Sequence, residues 1–172
     1  QYKGYPAQGG VRVPAFAHYP AGIETGKKND SMLTAKDVMP TLLELAGIQH
    51  PGQQYKGREV ADMSGESMLA MLKGERDSAH ERDYVMGWEL FGKRALRQGD
   101  WKIIYQPYHE VRNPVHEGIK TGIWQLYNLA EDPVEMNDLA EQHPEKLAEM
   151  LAHWKNYEQE NGVIFPDTTS GY

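Results

Sequence analysis

The side chains that could do chemistry lie at two places in this sequence, one near its start and one near its middle. Lys3 precedes the glycine pair Gly9-Gly10, and a lysine ammonium is a compact point charge that can pair with the ionised oxygens of an anion. The run 88–94, WELFGKR, combines an aromatic ring, a carboxylate and two cations at a predicted hairpin tip. These groups could line a substrate entrance. The alternatives are an ordinary exposed lysine and cross-strand packing of Trp88.

Other catalytic and metal-binding chemistries find little support. The sequence has no cysteine, which excludes a disulfide framework, a thiolate metal site and a cysteine nucleophile. Its seven histidines are scattered, and no two have the helical spacing of three or four residues that would place both on one face. We therefore expect no metal site within this chain.

Composition narrows the class of protein. The 172 residues are 40% hydrophobic, a composition typical of a globular domain. Their formal net charge of −7 argues against binding a nucleic-acid backbone. No apolar run is long enough to span a bilayer, and no signal peptide is visible. We expect neither a nucleic-acid nor a membrane partner.

The first third of the sequence predicts a strand, a helix and a connector. Partial alternation over 11–19 predicts a strand, in which Pro14 indicates either an edge position or a bulge. Apolar spacing predicts a helix over 34–46. Asp37 fits best as its N-cap, because Pro40 then falls in the first turn; a metal-ligand role for Asp37 is the less favoured alternative.

The remainder predicts an α+β fold. Turn residues separate four predicted strands, and helices flank them; the strands are placed at 82–90, 94–98, 101–105 and 124–129, and the helices at 65–73, near 135–140 and from 144 to 162. This pattern predicts a small four-stranded antiparallel sheet with packed helices, including a long C-terminal helix. The loop 106–122, which carries His109 and His116, has a length typical of functional or mobile segments.

Several spaced motifs resemble those of one family. They are KGYPAQGGVRVPA at 3–15, TAKDVMPTLLELAGI at 34–48, RQGDWK at 97–102 and LYNLAEDPVEMNDLA at 126–140. In this order they resemble the C-terminal portion of type I sulfatases (arylsulfatases), members of the alkaline-phosphatase-like superfamily. The resemblance implies that 1–63 is the end of the main α/β domain, left over as an N-terminal segment, and that 64–172 is the antiparallel-sheet subdomain.

The resemblance also implies a chemistry. The parent enzyme would hydrolyse a sulfate ester with a formylglycine nucleophile and a calcium ion, and Lys3 matches the lysine that contacts the sulfate. Trp88, Glu89, Lys93, His109 and His116 would lie at the pocket rim. The sequence has neither a cysteine nor a serine in a Ser-x-Pro-x-Arg context, and it lacks the family's calcium ligands. We therefore expect this chain to bind neither cofactor and to be inactive alone.

Two alternatives stay open. The same motifs suit a phosphodiesterase or phosphonate hydrolase of the same superfamily. A non-catalytic binding or assembly module would instead present the 88–94 hairpin and the 106–122 loop to a ligand. An unpaired strand at 11–19 would expose backbone and apolar surface and could drive self-association. The sequence does not fix the cellular compartment.

Overall fold

A computed structural model describes residues 4–107 and 120–165. These residues form two compact units, one of 15–81 and the other of the described residues within 1–14 and 82–172. The helices and strands, in chain order, are α1 (Gln8–Val11), α2 (Val38–Leu45), β1 (Gln54–Tyr55), β2 (Arg58–Glu59), α3 (Leu69–Leu72), β3 (Val85–Leu90), β4 (Lys93–Gln98), β5 (Trp101–Tyr105), β6 (Trp124–Asn128) and α4 (Pro144–Glu160). None of the helices in these described ranges is both long and apolar enough to cross a membrane.

The larger sheet has four strands in the order β3-β4-β5-β6, all antiparallel. Two residues, Phe91 (φ 56°) and Gly92 (φ 81°), join β3 to β4. Positive φ at both positions suits the right-handed twist of a tight hairpin. The next turn uses Gly99 at φ 56°. The predicted α+β fold with a four-stranded antiparallel sheet is confirmed.

One side of this sheet, called here the helix face, packs against α4. Leu96, Ile103 and Leu126 lie opposite one another on three strands and contact Met150 and Trp154 of the helix. The helix begins with proline in its first turn, where the missing N–H costs no hydrogen bond. The predicted long C-terminal helix is confirmed.

The opposite side, called here the segment face, packs against the start of the chain. Ala95, Ile104 and Tyr127 lie on its central strands and form a buried cluster with Ala7, and Trp88 packs against this cluster. Cross-strand partners share a face, so this side also carries polar residues that are buried: Lys93, Lys102 and Gln125. A sheet face that buries lysines is unusual.

The 15–81 unit is organised around a buried carboxylate. The backbone N–H of Thr34 donates to Asp37 Oδ2 at 2.7 Å and that of Glu66 donates to Oδ1 at 3.0 Å. Asp37 is the residue before α2, as the sequence predicts, but its side chain caps the preceding 3-10 turn through a Thr34–Asp37 capping box. The expected helix therefore starts with a 3-10 turn and becomes α-helical only at Val38.

The strand predicted over 11–19 is wrong. Residues 8–11 form one helical turn, and 12–19 form no regular element. Val13 and Phe16 are 76% and 94% exposed. A strand is held by its ladder to a neighbour, and none of the strands found in 4–107 and 120–165 pairs with this segment.

The short helix predicted near 135–140 is also wrong. Glu135 has φ 61°, a left-handed conformation that a right-handed helix cannot contain. The segment instead forms a chain of turns built on Asp132.

Candidate functional site

The chain segment that follows Lys3 lies on the segment face and is held there at three points. The first is Gly4, whose carbonyl oxygen accepts a hydrogen bond from Lys93 Nζ at 3.1 Å. The same ammonium lies 4.3 Å from the centroid of the Tyr5 ring, within the range of a cation–π contact. Lys93 is only 3% exposed, so little water competes for either contact.

The second point is Ala7, which is buried in the cluster with Ala95 and Ile104. Its carbonyl accepts from Gly10 N at 2.8 Å and from Val11 N at 3.1 Å, which closes the single turn of α1. The turn redirects the chain directly after the buried alanine.

The third point is Gln8, whose backbone N–H donates to Glu135 Oε2 at 2.7 Å. The other oxygen of this carboxylate, Oε1, accepts from Lys102 Nζ at 2.6 Å. The side chains of Lys102 and Glu135 are almost completely buried. Burial lowers the pKa of Lys102, and the attraction of Glu135 opposes that shift. One carboxylate thus ties the segment to the middle of the sheet.

Local structure explains how Glu135 reaches this position. Asp132 Oδ2 accepts from Met136 N at 2.6 Å and from Asn137 N at 2.7 Å. These bonds hold a turn in which Glu135 takes its left-handed conformation. Such strain in a non-glycine residue persists only where the surroundings enforce it, and here two hydrogen bonds to its carboxylate do so.

The segment face also carries cationic side chains. Arg97 shares it with Lys93 and Lys102, because Met86 and Lys102 are its cross-strand partners. Burial lowers the pKa of Arg97, the charge of Asp100 raises it, and the like charge of Arg12 lowers it further. Burial is the largest of these effects, so this face disfavours the charged form of Arg97.

The structure brings together only some of the residues predicted from sequence. Lys3, His109 and His116 lie outside the described residues. Trp88 packs against the buried cluster, with its ring centroid 5.7 Å from Lys102 Nζ. Glu89 lies on the helix-face side of β3, and its Oε1 accepts from the turn amide of Gly92 at 2.8 Å. The pocket-rim role of these residues stays a prediction.

Sequence reasoning missed Lys102 and Glu135 as parts of the site. Both lie in motifs that the sequence singled out, the Gly-Asp-Trp-Lys turn and the Asp-Pro-x-Glu turn. Those motifs predict turns, but neither predicts that the two side chains meet across 33 residues. No periodicity encodes such a contact.

Calcium does not fit the described residues. Within 4–107 and 120–165 no group of three or more carboxylate or imidazole side chains could hold a metal ion. Asp37, the one carboxylate considered as a ligand, is committed to other partners: besides its two backbone donors it lies 2.9 Å from His80 Nε2. Burial raises the pKa of Asp37, but the hydrogen bonds from His80, Thr34 and Glu66 outweigh it and hold the pKa below its usual value.

Comparison with known proteins identifies the class. Residues 3–160 match the family defined by the C-terminal region of N-sulphoglucosamine sulphohydrolase. The chain belongs to this family, and it corresponds to a C-terminal portion of a sulfatase, as its motifs indicate.

Individual relatives agree with this assignment, because they are sulfatases too. An uncharacterised sulfatase of Schizosaccharomyces pombe is 40% identical over 162 residues, covering 94% of this chain and 27% of that protein. An arylsulfatase of Clostridium perfringens is 31% identical over 150 residues, covering 84% of this chain and 27% of its own length. An N-acetylgalactosamine-6-O-sulfatase of Bacteroides thetaiotaomicron is 28% identical over 159 residues, covering 87% of this chain and 27% of that protein. The chain therefore spans about a quarter of the length of these relatives.

A solved structure supports the fold. A protein whose structure was solved in complex with its substrate D-glucosamine-2-N,6-O-disulfate matches with a TM-score of 0.58 and 19% identity, covering 88% of this chain and 29% of that one. At this identity the match concerns the fold alone.

Proposed function

We propose that this chain is the C-terminal part of a sulfuric ester hydrolase and that Lys3 contacts the sulfate group of its substrate. The observation that carries the proposal is the anchoring of the segment directly after Lys3. Gly4 and Gln8 are fixed to the sheet by Lys93 and Glu135. A catalytic cation is effective only when neighbouring structure fixes its position, and this segment has such support from its first described residue.

The chemistry follows from the ammonium group. When the S–O bond of a sulfate ester breaks, negative charge develops on the leaving oxygen. A fixed cation close to that oxygen stabilises the transition state more than the ground state. Lys3 would supply this cation, and its proton can pass to the leaving oxygen. The names of the relatives, which include an arylsulfatase and an N-acetylgalactosamine-6-O-sulfatase, support a sulfate ester as the substrate.

The chain supplies only part of the site. In this proposal 1–63 ends the catalytic α/β domain and 64–172 forms the C-terminal subdomain. The formylglycine and calcium that sulfatases use lie in the rest of the enzyme, since no cysteine is present and the described side chains do not fit a calcium site. The isolated chain is therefore inactive.

Steady-state hydrolysis of an aryl sulfate by the full-length protein tests this function. We expect turnover by the full-length protein, a loss of about 100-fold or more in kcat on Lys3→Ala, and none by the isolated 172-residue chain. The control is Lys155→Met, which removes an exposed lysine of α4. Turnover by the isolated chain would contradict the division of the site. Full activity of Lys3→Ala would contradict the role of Lys3.

The phosphoryl alternative is tested in the same assay. An aryl phosphate diester and an aryl phosphonate ester are offered at equal concentration to the full-length protein. Under the proposal kcat/KM for the sulfate exceeds both. A reversed order would assign the chain to a sister phosphoryl hydrolase.

An assembly role has one supporting observation. The side chains of Val38, Met39 and Leu42 on α2 are about half exposed, so this helix offers an apolar surface to a partner. We propose that the isolated chain self-associates through it.

A further inference from the structure

We propose that Arg94 forms a binding site for an organic anion that carries a carboxylate or sulfate group. The site lies on the helix face, at the end of the sheet where β4 begins. The segment that follows Lys3 lies on the opposite side of the sheet, so this inference goes beyond the proposed role of Lys3. The side chains that support it all lie within 82–107 and 120–165.

Strand alternation places Arg94 on the helix face. It stands two residues before Leu96, so the two side chains lie on the same side of β4. Its cross-strand partners are Glu89 and Tyr105. Leu96 is completely buried in the cluster with α4, whereas Arg94 keeps part of its surface exposed. The guanidinium therefore lies at the margin of the core.

Two aromatic rings hold the guanidinium. Its central carbon, Cζ, lies 3.7 Å from the centroid of the Phe165 ring and 4.6 Å from that of the Tyr105 ring. Both distances are within the range of a cation–π contact. Tyr105 is itself packed against Trp124, with ring centroids 5.4 Å apart. Because these contacts restrict a long side chain in advance, less conformational entropy is lost when a ligand binds.

Within 4–107 and 120–165 the donors of Arg94 have no acceptor. Its Nε is buried without a hydrogen-bond partner, and none of the ion pairs found in these ranges includes it. Glu89, the carboxylate directly opposite on β3, accepts instead from the amide of Gly92. The two terminal nitrogens are not among the buried atoms that lack a partner, so they reach the surface.

This arrangement argues for a role beyond packing. A buried donor without an acceptor costs free energy and calls for an explanation. A methionine at position 94 would pack against the two rings without that cost, and apolar replacements of buried charges often stabilise proteins. A ligand that accepts from the guanidinium supplies the missing acceptor.

The chemistry of the side chain defines the class of ligand. A guanidinium presents its donors as a planar fork, which pairs with two oxygens of one carboxylate or sulfate group. The rings of Phe165 and Tyr105 would contact the apolar part of the molecule that carries this group. A nucleic acid fits less well, because its binding depends on several phosphate contacts and the chain has a net charge of −7.

A signal of Arg94 itself reports whether the site is occupied. The full-length protein is labelled with ¹⁵N-arginine, and the Nε–Hε resonance that disappears in Arg94→Lys identifies the residue. Sodium glucuronate, sodium sulfate and glucose are then titrated at constant ionic strength. We expect a saturable shift of this resonance with one or both anions and none with glucose.

The titration also identifies the source of the anion. A response to glucuronate assigns the site to a carboxylate, and a response to sulfate alone assigns it to a sulfate group. The absence of a saturable shift with either anion would overturn the proposal, as it would if another part of the full-length chain already pairs with the guanidinium. An equal shift with glucose would also overturn it, because the charge would then play no part.

Affinity measurements separate the planar donors from the charge. Arg94→Met removes both, whereas Arg94→Lys keeps the charge and loses the fork. In calorimetric titrations of the full-length protein, we expect the dissociation constant of the responding anion at this site to rise about 10-fold or more in both variants. Arg58→Met is the matched control, because it removes the exposed arginine of β2, and it should leave the constant unchanged.

An unchanged binding isotherm in Arg94→Met would contradict the proposal. Should Arg94→Met fail to fold, Arg94→Lys, which keeps the apolar stem and the charge, is judged by the same criterion. Phe165→Leu tests the contribution of the ring. It keeps apolar bulk and removes the cation–π contact, so the dissociation constant should rise about 2- to 5-fold.

These measurements fail or succeed independently of the proposed function. Neither the resonance of Arg94 nor the binding isotherm measures hydrolysis of a sulfate ester. If Lys3→Ala keeps full activity while the Arg94 resonance responds to an anion, the role of Lys3 is wrong and the anion site stands. If Lys3→Ala is inactive and the resonance does not respond, the function stands and the anion site is wrong.

Discussion

Lys102 and Glu135 form an ion pair in the interior of the protein, with Nζ 2.6 Å from Oε1 and side-chain exposures of 0% and 2%. The carboxylate is shared, because its second oxygen accepts the backbone N–H of Gln8. The pair therefore joins the middle of the sheet to the segment that follows Lys3. Its geometry makes the stability of the fold and the placement of that segment depend on the same two side chains.

Removing one partner of this pair should be costly. Lys102→Met leaves Glu135 buried without its counter-charge, and we expect a loss of about 3–5 kcal/mol in the free energy of unfolding. The double variant Lys102→Met/Glu135→Gln should recover much of that loss, because no uncompensated charge remains. Urea denaturation measures both, with Lys155→Met as the control. A loss below about 1 kcal/mol for Lys102→Met, the value typical of exposed pairs, would contradict the interior position of the pair.

Asp37 should make the 15–81 unit sensitive to acid. The pKa of this carboxyl lies below its usual value of 3.8 in the folded protein. Its stabilising effect is therefore fully present above the unfolded pKa and is lost as the pH falls through the folded one. Asp37→Asn should lower stability at pH 7 and flatten the decline below about pH 4. Thermal melts between pH 7 and pH 2 measure this, with the exposed Glu59→Gln as the control. If the melting temperature of Asp37→Asn falls below about pH 4 as steeply as that of the wild-type protein, the effect is ruled out.

Gly65 should tolerate no side chain. A Cβ there would lie 2.1 Å from the backbone oxygen of Lys36 and 2.8 Å from the backbone nitrogen of Asp37. Backbone atoms cannot move aside as a flexible side chain can, so Gly65→Ala should destabilise the unit by about 1–3 kcal/mol. Gly87→Ala is the informative comparison, because its Cβ would meet the Tyr157 ring at 2.5–2.6 Å, and a ring can shift. Urea midpoints should fall for both variants. A wild-type midpoint for Gly65→Ala would show that the two backbone segments are not in contact.

The exposed side of α2 should cause the isolated chain to self-associate. Light scattering should show a mass that rises with concentration, and Leu42→Glu should reduce that rise by placing a charge on the apolar surface. Ile164→Glu is the control, because Ile164 is 85% exposed and lies away from α2 in sequence. A constant monomer mass at every concentration would refute self-association.

The parts of the fold that depend on local chemistry could be predicted from sequence. The Phe91-Gly92 and Gly99-Asp100 turns set the hairpins, and alternation along the strands set which residues share a face. The α4 boundary follows from proline at its start. These signals lie within a few residues of the structure they specify.

The parts that depend on distant partners could not be predicted. Residues 11–19 have a strand-like pattern, but a pattern supplies no neighbouring strand. Nothing in the sequence distinguishes Lys102 from the exposed lysines, because its burial depends on a carboxylate 33 residues away. Glu135 reaches that lysine through a left-handed conformation that the sequence around it does not require. The site is built from such contacts, so its supporting residues appear only in the structure.

The most direct test of the central claim, that Lys3 acts on the leaving oxygen of a sulfate ester, is the dependence of rate on the leaving group. Turnover of aryl sulfates whose phenols span several pKa values is measured for the full-length protein and for Lys3→Ala. A cation that stabilises charge on the leaving oxygen matters most for poor leaving groups. We predict a loss that grows with the pKa of the phenol and therefore a steeper dependence in Lys3→Ala. Parallel dependences in the two proteins would contradict the assignment of Lys3 to the leaving oxygen.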